Sequence, residues 1–323
     1  MNKNYRRILN LLKRIYRTQN PVNHTFAFSY EDASIVRQQA SDLIKTKLLS
    51  DEPVMICRFG STELNCILTY YFASQNRSLF GKATDYFRGV TNPFQWKDET
   101  INAMCNNAGF FPPSIELLEK FSKLMLEDMK LVDVLGTCLN NEKLLSHYLS
   151  NAVKVPLPDI EPYYHQNPWT DALEGKTVLV IHPYEESITK QYAKRKHLFK
   201  DKRILPDFEL KTIKAVQSIA NSKTEFETWF DAYDHMCNQI SNTNFDVAII
   251  GCGAYGFPLS AHVKRVGRKA VQMGGPTQIM FGIKGKRWEE HPFISTLINE
   301  HWVRPSQSET PFNYSKVEDG CYW

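Results

Sequence analysis

Two short stretches of the chain gather side chains that can do chemistry. In the first, Arg58, Phe59, Gly60, Ser61, Thr62 and Glu63 follow an apolar run at 54–57 and precede a helical segment at 64–72. A cation, two hydroxyls and a carboxylate thus meet at the carboxyl end of a strand, where open α/β sheets bind ligands. Ser61 or Thr62 as a helix cap, with Glu63 in the first turn, explains those residues without a ligand. It does not explain Arg58. In the second stretch, Gly251, Gly253 and Gly256 stand in the order G-x-G-x-x-G, between an apolar run at 246–250 and a helical segment at 257–266 closed by Gly267. A second apolar run, 270–273, leads into Gly274 and Gly275. Strand, glycine loop, helix and strand let backbone N–H groups approach an anion at a helix N-terminus, where the dipole also favours negative charge. That dipole contributes roughly 0.3–1 kcal/mol, and up to about 2 when partly buried. The loop, which includes Tyr255, is a candidate phosphate cradle; a turn where helix and strand pack closely is the other reading.

The owner of the phosphate is narrowed by what surrounds the loop. A nicotinamide enzyme places Asp or Glu about 20 residues on, at the end of the second strand. Here Val271, Gln272 and Met273 occupy that neighbourhood. The loop also comes late, leaving no room after Gly251 for two βαβαβ halves, and the same shortage counts against a methyltransferase.

Further candidates sit at strand ends or in turns. The strand 177–181 ends in His182, Pro183 and Tyr184, which puts His182 at a ligand-facing position or makes it a satisfied structural residue. Asn106, Asn107, Ala108, Gly109, Phe110, Phe111, Pro112 and Pro113 form a rigid turn whose asparagines suit sugar or base recognition and whose rings equally suit a core. Lys284, Lys286 and Arg287, beside Trp288, supply cations able to close over a diphosphate.

These residues need elements to carry them. With 323 residues, 42% hydrophobic and 23% charged, the chain can bury a sizeable α/β core. The pattern predicts strands at 54–57, 131–136, 153–157, 177–181, 208–215, 246–250 and 270–273. It predicts helices at 31–49, 64–72, 99–104, 115–129, 226–240 and 257–266, a basic helix after His182, and an irregular aromatic stretch at 80–98. Asn140 or Asn141 is expected to cap a helix running to residue 149, and the tail from 291 shows no regularity. The fold class this pattern supports is α/β, with buried parallel strands and helices between them. No run of 18 apolar residues predicts a membrane span, and no signal peptide is legible. Seven scattered cysteines without a C-x-x-C pair read as reduced thiols in a cytoplasmic protein.

Charge is concentrated at the start. Lys3, Arg6, Arg7, Lys13, Arg14 and Arg17 fall within twenty residues that contain no acid, while the whole chain carries only +4. That distribution excludes a generally basic nucleic-acid binder. Tyr5, Ile8, Leu9, Leu11, Leu12, Ile15 and Tyr16 recur among those cations at helical spacing, so residues 1–20 predict a basic amphipathic helix. It can lie on the inner face of the cytoplasmic membrane, on its own domain or on another subunit. A linker at 18–24, broken by Pro21, separates residues 1–24 from an α/β domain at 25–323.

The arginine turn R-F-G-x-x-E after an early strand, the late G-C-G-x-x-G, the segment NNAGFFP and the closing FGIKGKRW together resemble the GT-D class of bacterial glycosyltransferases, of the type associated with capsule and surface polysaccharide. The likeness runs from about residue 50 to 290. It implies a GT-D-like α/β fold with a Rossmann-like, mostly parallel sheet flanked by helices, a nucleotide-diphosphate-sugar donor (usually a UDP-sugar) and a glycan acceptor, including a lipid-linked one. The residues above and this resemblance together make Arg58, Gly60, Ser61, Asn107, Gly251, Gly253, Tyr255, Gly256, Lys284, Lys286 and Arg287 the expected donor-binding set. The family follows R-F-G with D-x-E, whose carboxylates serve donor and metal; here Ser61 stands at the aspartate. Glu63 alone is left as a protein ligand for Mg²⁺ or Mn²⁺.

In glycosyl transfer negative charge grows on the departing diphosphate and must be met by a metal or by fixed cations and backbone donors. The expectation is a clamp of the glycine loop with Arg58, Lys284, Lys286 or Arg287. Glu63 is then free to act as the general base on the acceptor hydroxyl if the reaction inverts configuration, with His182 as the fallback base. Two other readings share these residues: another nucleotide-dependent enzyme using NAD or S-adenosylmethionine, and a non-catalytic glycan-binding or assembly module.

Overall fold

Along each central strand the apolar side chains divide between two faces, which is why the strands read as continuous hydrophobic runs. Met55, Cys57, Leu179, Ile181, Ala248 and Ile250 point into one core. Val54, Ile56, Val178, Val180, Val247 and Ile249 point into the other. A computed structural model of the chain describes residues 3–19, 30, 32–87 and 94–323. Its seven strands are β1 (Val54–Cys57), β2 (Val134–Thr137), β3 (Val153–Pro156), β4 (Thr177–His182), β5 (Glu209–Lys214), β6 (Val247–Ile250) and β7 (Lys269–Gln272). They form one sheet in the order β3-β2-β1-β7-β6-β4-β5, every pair parallel. Register is continuous across the middle, with Val271 opposite both Ile56 and Ile249, and Ile249 opposite Val180. The architecture is a Rossmann-like α/β sheet flanked by helices.

The helices are α1 (Lys3–Gln19), α2 (Gln38–Leu49), α3 (Ser61–Ser74), α4 (Leu79–Phe87), α5 (Asp98–Asn107), α6 (Ile115–Met129), α7 (Glu185–Tyr192), α8 (Arg195–Leu198), α9 (Trp229–Ser241), α10 (Gly256–Arg265), α11 (Thr277–Met280) and α12 (Lys286–Glu289). Their starts follow local chemistry. Ser114 Oγ accepts from Leu117 N–H at the head of α6, and Thr228 and Asp231 form a capping box on α9.

Several expectations shift. The helix foreseen from residue 31 begins at Gln38, because Arg37 has φ 54° and its N–H is held by Asp159 Oδ2 at 2.5 Å; residue 31 itself lies outside the described residues. The linker at 18–24 is helical at Thr18 and Gln19, and its remainder, Pro21 included, lies outside the described residues. Within 80–98, α4 and the start of α5 are helical, while 88–93 lie outside the described residues. The basic helix after β4 is split into α7 and α8. The segment Asn140–Leu149 is 3₁₀, and it is Glu142, not an asparagine, that caps it: its carboxylate reaches back to Cys138 and Leu139 N–H at 3.2 and 3.1 Å and to the Thr137 hydroxyl. The tail is less featureless than its sequence. Trp302 donates to Leu198 O at 3.0 Å, and Val303 bridges to Ile283.

The topology itself marks a site. From β4 the chain moves outward to β5, whereas from β6 it moves inward to β7. Connections diverging from neighbouring strands leave a crevice at their carboxyl ends, the position where ligands enter such sheets. Among the described residues no helix is long and apolar enough to cross a membrane.

Candidate functional site at the carboxyl edge of the sheet

The carboxyl ends of β1, β7, β6 and β4 border one cavity of about 600 Å³, lined among others by Arg58, Glu63, Glu161, His182, Gly253 and Arg287. The arginine turn and the glycine loop, far apart in sequence, therefore face the same space. A ring pair fixes them: Phe59 in the first stacks on Phe257, just after the second, with centroids 4.9 Å apart and planes at 17°. Offset stacking of this kind adds about 0.5–1.5 kcal/mol beyond burial.

Arg58 is held by its backbone and left open at its head. Its N–H donates to Gln272 Oε1 at 2.9 Å, and Nη1 donates to Phe59 O at 2.7 Å. Nε is buried with no partner among the described residues. The guanidinium lies over Gly274, where an added Cβ would stand 3.1–3.3 Å from Nη2, Nε and Cζ, so a glycine is needed beneath it. A buried donor without an acceptor costs about 1–3 kcal/mol, more when charged.

Two carboxyls flank this cation. Glu63, in the first turn of α3, folds its carboxyl back over Gly60. Burial raises its pKa, opposed by a hydrogen bond with its own backbone amide and by Arg58, while Glu318 adds to the rise. The N-cap of α3 is Gly60; Ser61 is the first helical residue and lies exposed on the cavity rim, so the predicted Ser61 or Thr62 cap is not formed. The second carboxyl, Glu161, was not foreseen. It follows the 3₁₀ turn Leu157–Ile160 after β3, is buried, and accepts from the Tyr163 hydroxyl. Burial pushes it up to about 7, against the pull of Tyr163 and Arg58. The signal for it was an acid between Pro158 and Pro162 just past a strand's carboxyl end, a place that otherwise reads as a loop.

His182 ends β4 beside the glycine loop. Its Nδ1 accepts from Tyr184 N–H at 3.0 Å, which puts the ring proton on Nε2. Burial lowers its pKa to about 3. At neutral pH it is an uncharged donor with its basic nitrogen already engaged. The expectation of a fallback base at His182 does not fit this geometry.

The glycine loop offers fewer amides than its motif suggests. The N–H groups of Gly251, Ala254, Tyr255 and Gly256 are engaged by Ile181, Ala108, Cys252 and Gly253 carbonyls. Tyr255 is among the residues lining the cavity, but its ring is buried and stacks on Trp229 at 4.7 Å and 3°. Gly256 packs α10 onto Gln272 and does not line the cavity. Gly251 is required by space: a Cβ there would come within 2.7 Å of Gly274 O and Thr277 Oγ1 and 2.8 Å of His182 Cδ2. Gly251→Ala is expected to destabilise the chain by about 1–3 kcal/mol, the range for overpacking a rigid site. Urea unfolding measures it, and an unchanged midpoint would show that the loop yields.

Of the three late cations only Arg287 reaches the cavity. It donates to the Tyr322 hydroxyl at 3.2 Å, pairs with Glu318, and lies 4.9 Å from the Tyr322 ring centroid. Lys284 is turned to Glu289 at 3.3 Å, and Lys286 is exposed outside the cavity. Neither lysine lines the cavity, so the structure does not bring these two expected donor ligands to it. Asn107 does line the cavity, its Oδ1 accepting from Asn106 Nδ2 at 2.6 Å, while Phe110 of the same turn stacks in the core on Trp229. The Mg²⁺ or Mn²⁺ expectation finds a poor donor set. Among the described residues no three His, Cys, Asp or Glu side chains converge, and Glu63 faces Arg58 and its own helix start. All seven cysteines are free thiols. Set against protein-family models, curated proteins and solved structures, the chain matches none of them.

Proposed function

We propose that the chain is a glycosyltransferase of GT-D type that moves a sugar from a nucleotide-diphosphate donor, most simply a UDP-sugar, to a hydroxyl of a glycan acceptor in surface or capsular polysaccharide synthesis. One observation carries the reading: Arg58, whose buried Nε has no partner among the described residues, lines a cavity that also holds two carboxyls, a neutral imidazole and aromatic rings. A diphosphate in that cavity would meet the Arg58 guanidinium with negative charge. Arg287 and His182 Nε2–H offer further donors, and Tyr322 and Trp288 offer faces for a base or sugar ring.

In the reaction the acceptor oxygen forms a bond to the anomeric carbon, the bond from that carbon to the β-phosphate oxygen breaks, and the nucleoside diphosphate leaves with the electron pair. Arg58 and Arg287 stabilise the charge that develops there, without reorganisation. The acceptor proton goes to a carboxylate. Of the two, Glu161 is the better tuned, because a base near pH 7 combines availability with driving force. Glu63, assigned that role from sequence, instead braces the arginine turn across Gly60. A nicotinamide or adenosyl ribose would seek an acid at the end of β7, where Gln272 Oε1 is already bound by Arg58 N–H.

Calorimetric titration with UDP, NAD and S-adenosylmethionine, followed by UDP release from UDP-sugars, tests the reading. Binding of UDP alone, with turnover that survives EDTA, is expected. Binding of NAD or S-adenosylmethionine without any nucleoside diphosphate would overturn it.

A further inference from the structure

We infer that α1 and the first turn of α4 form a docking surface for an anionic lipid bilayer. Ile8, Leu11, Leu12 and Ile15 follow the i, i+3, i+4, i+7 spacing of a single helical stripe, yet they are 46–58% exposed. A helix held only by its own domain would bury that stripe. Here α1 rests on α4, with Asn10 Oδ1 accepting from the Tyr86 hydroxyl at 3.4 Å. The helix α4 adds Leu79 and Phe80, 65% and 83% exposed.

Charge chooses the occupant. The 17 residues of α1 include Lys3, Arg6, Arg7, Lys13, Arg14 and Arg17 and no acid, with Arg7 and Arg14 exposed. A second copy of the chain would bring the same cations against them. A nucleic acid would satisfy the cations but leave the apolar stripe in water. An anionic bilayer meets both, with phosphates at the headgroups and hydrocarbon beneath them. The absence of a spanning helix among the described residues agrees with a helix lying in the interface plane. The inference stands apart from the chemistry of the cavity.

The test is flotation of the full chain with vesicles of phosphatidylglycerol and phosphatidylcholine, against phosphatidylcholine alone. Binding to the anionic vesicles is expected to fall steeply with salt. The triple variant Leu11→Ser/Leu12→Ser/Ile15→Ser should weaken it by about tenfold or more. Phe80→Ser lies outside α1, so its expected loss of several-fold cannot come from unfolding of that helix. Equal binding to neutral vesicles, no binding to anionic ones, or a triple variant that binds like the parent would overturn the inference. So would sedimentation showing a dimer abolished by the same triple variant, and an unchanged Phe80→Ser would remove α4 from the surface.

Discussion

Arg58→Met is expected to weaken UDP binding about 100-fold, close to 2.7 kcal/mol, while leaving the chain folded. Methionine keeps much of the stem length, and the backbone bond to Gln272 Oε1 does not depend on the side chain. What disappears is the guanidinium over Gly274, with the buried Nε that has no partner. A diphosphate oxygen at that head makes charge-assisted bonds in a largely enclosed site, so the effect should be large and only weakly salt-dependent. Calorimetry of parent and variant with UDP gives the number. The same substitution removes a cation that lowers the pKa of both Glu63 and Glu161, so any residual activity should have its pH profile displaced to higher pH. A variant that binds UDP as the parent does would place the diphosphate elsewhere.

Glu161→Gln is the second large effect, with an expected loss of about 10²- to 10⁴-fold in kcat and little change in UDP affinity. With its carboxyl near 7, the parent rate should climb through neutral pH and level off once the carboxylate form dominates; the variant should lack that limb. Glu63→Gln is the counter-experiment. If it abolishes transfer while Glu161→Gln remains active, the proton goes to Glu63, as the arginine-turn motif alone implies. Stability offers a readout independent of turnover. In the folded chain Glu161 keeps its proton up to about 7, while in the unfolded chain it ionises near 4.5. Its contribution is therefore fully present below 4.5 and is lost as pH rises through 7, a decline on the order of 3 kcal/mol. Glu161→Gln, neutral at every pH, should lack that decline and unfold later than the parent at pH 8 but not at pH 4.

The class of the fold was legible because burial writes itself into local pattern. Parallel strands covered on both faces must be apolar at every position, and so β1, β4 and β6 stand out within a residue or two of their ends. The glycine loop was legible for a similar reason, since Gly251 has no room for any side chain. Sequence alone also set the charge of α1 and the arginine after β1. It could not say which way a side chain turns once distant elements pack. Tyr255 stacks on Trp229 of the distant α9, and Lys284 turns to Glu289 a few residues on; neither pairing follows from hydrophobic periodicity. Glu161 joined the cavity only because β3 pairs with β2 and ends its turn beside Arg58. His182 became a donor through a single bond from Tyr184 N–H. Periodicity records whether a residue is buried; what it is buried against, and hence its charge and its chemistry, is decided by the order in which the strands assemble.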